Sequence, residues 1–68
     1  MNTRFIPVEI LDDTARGGVW DTHTDEIAPF VENSTLEKLT GAIEVIERYG
    51  RDIFLWRPAD KFSFWEFS

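Results

Sequence analysis

Sixty-eight residues with thirteen acids, seven bases and no cysteine make one acidic domain, 1–68, of net charge −6, which excludes a disulfide framework, a zinc ribbon and a thiol nucleophile. The 43% hydrophobic and 15% aromatic content supplies the dense core that so short a chain needs and excludes a disordered chain. The acidity argues against direct nucleic-acid binding, and no stretch approaches the roughly 18 apolar residues of a membrane span or the h-region of a signal peptide, so the expected location is the cytoplasm.

In chain order, Arg4 to Leu11 is rich in apolar and β-branched residues and reads as a strand, with Pro7 pointing to a sheet edge. Asp12 to Gly18 gathers turn formers, and the Gly17–Gly18 pair can supply positive φ for a chain reversal. Val19 to Thr24 is the return strand, with Trp20 as its core residue. Asp25 and Glu26 open the next turn, and Ile27 to Glu32 forms a short third strand that Pro29 holds at an edge.

Ser34-Thr35-Leu36-Glu37 fits a capping box in which Ser34 caps the helix and Glu37 reaches back to it. Leu36, Leu39, Ile43 and Ile46, with Ala42 and Tyr49, then recur at helical spacing, and Gly50 ends the helix. Gly41 inside it is expected to let the helix approach the sheet. Asp52 to Arg57 is an apolar run of strand length, and Pro58 to Lys61 turns the chain into a further strand, Phe62 to Phe67, as a second hairpin. The expected fold is therefore α+β: three strands, a helix, and one or two further strands in a small antiparallel sheet, with the amphipathic helix on one face.

The charge is unevenly placed. Residues 9–37 hold eight acids against one base, Arg16, while the remainder is nearly balanced. The expected partner-binding residues are the acids of the turns and strand ends, Asp12, Asp13, Asp21, Asp25, Glu26 and Glu32, together with Trp65 of the aromatic tail. Clustered negative charge of this kind fits a basic surface on another protein.

Val8-Glu9-Ile10, the acidic turn ending at Gly18, Val19-Trp20, Asp25-Glu26-Ile27, Val31-Glu32 and Thr35-Leu36-Glu37-Lys38-Leu39 follow one another in an order that resembles the HicB-like antitoxin domain. The resemblance covers residues 8–46 and implies a sheet with one helix packed on it, in a bacterial or phage-borne cytoplasmic protein that blocks a basic RNA-cleaving toxin. Residues 50–68 depart from it, being aromatic and lacking a basic recognition helix, which puts autoregulation by DNA binding in doubt.

No catalytic residue, metal site or cofactor is expected. His23 is the one histidine, and Asp21, His23 and Asp25 at spacing two would share only an exposed strand face. No glycine-rich phosphate loop or nucleophile elbow occurs. Two function classes follow. The first is a non-enzymatic inhibitor of a basic nucleic-acid-binding partner, either a HicB-like antitoxin facing a toxin or a phage anti-CRISPR or anti-restriction protein that mimics DNA against a host defence complex. The second is an assembly protein that homo-oligomerises through the aromatic C-terminal segment. The sequence leaves the oligomeric state open, and leaves open whether the tail is core or interface.

Overall fold

The computed structural model describes residues 4–11, 16–30 and 35–67, apart from the side chain of Arg16. Five strands, β1 (Phe5–Ile10), β2 (Arg16–Asp21), β3 (Glu26–Pro29), β4 (Arg57–Pro58) and β5 (Phe64–Glu66), form one antiparallel sheet, and one helix, α1 (Leu36–Tyr49), packs on it. The sheet order is β4-β3-β2-β1-β5. This is the α+β architecture that the patterning predicts, with the details shifted.

Both sheet faces are covered, each by a different part of the chain. Strand pleating sends Phe5, Val19 and Ala28 to one side, where they meet Leu39 and Ile46 of α1 with Ala42, Ile43, Phe54, Trp56 and Phe67 around them. Ile6, Val8 and Ile10 of β1, Trp20 of β2 and Ile27 of β3 point the other way. Since β4 and β5 occupy opposite edges, the segment between them must cross the sheet. It does so on the face away from the helix, through a 3₁₀ turn (Ala59–Lys61) that lays Ala59 and Phe62 over Val8, Ile10 and Ile27. Most of the tail is therefore core: Phe62, Phe64 and Phe67 are all half-buried against one cluster or the other.

This crossing replaces the expected C-terminal hairpin. Residues 51–53 form a 3₁₀ turn, and of the expected strand over 52–57 only Arg57 pairs, against Ile27, with Pro58 of the expected turn pairing against Glu26. The run Ile53 to Trp56 is apolar because Phe54 and Trp56 pack beneath the helix, Phe54 against Phe30 with ring centroids 5.3 Å apart; it is not a buried strand.

Other boundaries moved for local reasons. The glycine pair lies inside β2, and a Cβ on Gly18 would stand 2.9 Å from the Ala28 carbonyl oxygen and 3.1 Å from Ile10 Cδ1. Gly18 is thus required by close packing, not by a turn. β2 ends at Asp21, so 22–25 form the turn, and β3 starts at Glu26 and stops at Pro29. β1 is an interior strand despite Pro7, because the Pro7 carbonyl accepts from Phe67 N at 3.1 Å just where β5 ends; the donor that proline lacks would point to a place where pairing stops.

The helix is capped by Thr35, whose hydroxyl accepts from Lys38 N at 3.2 Å, one residue later than the expected cap, and Ser34 lies outside the described residues. Gly50 closes it at φ 95°, donating to the Ile46 carbonyl. Gly41 faces solvent, with nothing within 4 Å of where a Cβ would stand, so it does not bring the helix closer to the sheet.

Candidate functional site

The densest polar grouping lies where β2 runs into the 22–25 turn. Pleating directs Asp21 to the helix side, where it is 0% exposed, and a carboxylate so placed must be matched by donors. Arg4, one residue before β1, gives it two hydrogen bonds, Nε to Oδ1 at 2.9 Å and a terminal nitrogen to Oδ2 at 3.0 Å. Arg51, in the turn after α1, donates to Oδ2 at 2.7 Å, and the His23 amide donates to Oδ1 at 3.0 Å. Arg51 also donates to Thr24 Oγ1 at 2.9 Å and pairs with Glu26.

Aromatic rings hold the two guanidinium groups in place. Arg51 lies 4.6 Å above the Trp56 ring, Arg4 lies 4.9 Å above Phe5, and Phe5 and Trp56 are themselves neighbours at 6.1 Å. Trp56 Nε1 donates to the Arg51 carbonyl at 2.6 Å. Burial pushes the Asp21 carboxyl upward, but hydrogen bonds from Arg4, Arg51 and the His23 amide, with the charge of Arg4, outweigh it and hold the group far below the usual carboxylate range. Hydrogen bonds from Arg51 and Thr24 likewise lower Glu26. The group contains two acids and two bases, is neutral, and fastens together the N-terminal segment, the β2–β3 turn and the segment after the helix.

No protein-family model, no curated protein and no solved structure matches this chain. The likeness to antitoxin domains therefore rests on residues 8–46 of the sequence alone.

The structure divides the expected partner-binding residues. Asp21 is internal and unavailable to a partner, which corrects its assignment to an exposed acidic face, and Glu26 is half-buried and occupied by Arg51. Asp25 is exposed at φ 58°, its carboxylate accepting from Trp20 Nε1 at 3.1 Å. Asp21, His23 and Asp25 do not share a face: Asp21 points under the helix, His23 is exposed in the turn, and Asp25 turns toward Trp20 on the opposite side of the sheet. Trp65, on β5, is 60% exposed and donates to Glu9 Oε2 at 3.2 Å.

Asp12, Asp13 and Glu32 lie outside the described residues. The strand ends that flank them are described. Ile10 pairs with Arg16, Gly18 pairs with Pro29, and Phe30 N donates to Gly17 O, so the connections following β1 and β3 leave from one end of the sheet, opposite the 22–25 turn. The described ends of β1 and β3 thus lie away from the 22–25 turn. Elsewhere, a shallow depression lined by Glu44, Val45, Arg48 and Tyr49 lies on the outer face of α1. Among the described residues no group of three or more His, Asp or Glu is placed to hold a metal ion, and no helix is long and apolar enough to cross a membrane.

Sequence reasoning missed Arg4 and Arg51 as the partners of Asp21. A signal was present: Asp21 and Glu26 bracket a short turn, and two arginines flank the first strand and the helix end, yet spacings of 17 and 30 residues carry no periodic signature.

Proposed function

We propose that the chain is a non-enzymatic inhibitor that sets an acidic surface against the basic, nucleic-acid-handling face of another protein in the bacterial cytoplasm. A HicB-like antitoxin, as residues 8–46 suggest by resemblance, and a phage inhibitor of a host defence complex are both of this kind. The observation that carries the reading is the neutrality of the internal group. Two of the seven bases are spent on Asp21 and Glu26, so the full charge of −6 is left to the rest of the chain, where long-range attraction can act on a basic partner. Of the acids expected to meet the partner, Asp21 and Glu26 are occupied by arginine, which leaves Asp12, Asp13, Asp25 and Glu32 as the residues to reverse.

Capture of partners from bacterial lysate at low and moderate salt, followed by charge reversal, tests this. Recovery of a basic nucleic-acid-binding protein that is lost as salt rises is the expected result. Asp12→Lys with Asp13→Lys should then weaken capture at least about tenfold, with the fold unchanged, whereas Asp25→Lys should have a smaller effect. Capture indifferent to salt and to both reversals would remove the electrostatic reading.

A further inference from the structure

The two edges of the sheet are finished differently. β4 exposes Arg57 and Pro58, a charge and a residue with no amide hydrogen, both of which discourage another strand from pairing there. β5 has no proline among Phe64, Trp65 and Glu66, and its one charge, Glu66, is an acid at the end of the strand. Its pairing with β1 fixes which backbone groups are spent. Leu11 N donates to Ser63 O at 2.8 Å and Phe67 N donates to Pro7 O at 3.1 Å, so by antiparallel alternation Trp65 exchanges its bonds with Glu9, while the N–H and C=O groups of Phe64 and Glu66 point outward. No described strand lies on that side.

We propose that this edge is a self-association surface on which β5 of a second copy of the chain pairs antiparallel, about a two-fold axis through Trp65. The pattern of free groups is self-complementary. Phe64 of one copy stands opposite Glu66 of the other, and each such pair exchanges two hydrogen bonds, so the two-fold axis satisfies every outward group of both strands. Trp65 then faces its symmetry mate in the central, non-hydrogen-bonded position, where cross-strand side chains come closest. Both indoles, 60% exposed in the single chain, cover one another there. A two-fold axis of this sort is perpendicular to the sheet, so it places both helices on the same face, with the paired indoles between them.

Charge sets the conditions. Each copy carries −6, and that repulsion opposes pairing at low ionic strength and is screened as salt rises. The dimer therefore tightens with salt, the opposite of the dependence expected for a basic partner, so the two readings stand or fall separately.

Sedimentation equilibrium of the full chain from about 10 mM to about 150 mM salt tests the proposal, with an expected fall of about tenfold in the dimer dissociation constant. Glu66→Pro removes one outward donor where an edge strand tolerates proline, and Trp65→Ala removes the central pair; each should leave a folded monomer by circular dichroism. A wild type that stays monomeric throughout the salt series, or a dimer that survives both variants, overturns the proposal. Should either variant unfold, a mixed-isotope wild-type sample decides by nuclear Overhauser contacts between copies. Contacts from Trp65 to the partner's Trp65 support the pairing, and intermolecular contacts confined to Arg57–Pro58 or to α1 overturn it.

Discussion

Three of the glycines show how one residue type serves opposite ends in a short chain. Gly18 sits where β2 and β3 press together, with the Ala28 carbonyl 2.9 Å from any added Cβ and Ile27 Cγ2 3.3 Å away, and the backbone atom cannot move aside without disturbing the ladder. Gly50 holds φ 95° at the helix end, which side-chain-bearing residues adopt only with strain. Gly41 does neither, lying on the solvent face of α1 with free space around it. Gly41→Ala should therefore stabilise the protein by up to about 1 kcal/mol, while Gly18→Ala should destabilise it by about 2 kcal/mol. Urea unfolding of the two variants beside the wild type measures both; a gain from Gly18→Ala would mean that the β2–β3 approach is looser than these distances.

At the scale of elements, what was legible depended on whether the determinant was local. The helix, its glycine terminator and β1 follow from periodicity and cap chemistry within a few residues. The C-terminal third does not. Ile53 to Trp56 and Phe62 to Phe67 look like two strands of a hairpin, because an apolar run reads alike whether it pairs or lies across a sheet, and nothing local in Pro58 to Lys61 says that the chain must travel from one edge to the other. Of the candidate site, Trp65 and Asp25 are exposed, but the burial of Asp21 was hidden, since it depends on arginines far away in sequence.

The crossing segment is also where the element scale makes a prediction. Phe62 and Ala59 are the side chains that shield Val8, Ile10 and Ile27 on the face away from the helix. Truncation of the half-buried Phe62 to alanine should cost about 2 kcal/mol. Leu55→Ala, in the neighbouring run but 82% exposed, should stay within about 0.5 kcal/mol. Thermal unfolding of both distinguishes a strap that completes the core from a tail that merely rests on it: equal, small effects would deny the strap its role.

For the whole molecule, the Arg4–Asp21–Arg51–Glu26 group ties together chain segments that the sheet and helix alone do not bind, and its effect must depend on pH in a defined direction. The folded state lowers the Asp21 carboxyl below its unfolded value of about 3.9, chiefly through the Arg4 and Arg51 hydrogen bonds working against burial. A group depressed in this way contributes its full stability above the unfolded value and loses it as pH falls toward the folded one. Asp21→Asn keeps the shape but removes the charge that matches two arginines, and should destabilise the protein by about 3 kcal/mol at neutral pH. Because asparagine does not titrate, the gap between variant and wild type should narrow steadily from about pH 5 to about pH 2. Chemical unfolding of both proteins along that range supplies the curve. A gap that held constant would mean that the geometry of the side chain, and not its charge, is what fastens the segments. A closing gap would tie the acid sensitivity of this molecule to its one buried carboxylate among the described residues.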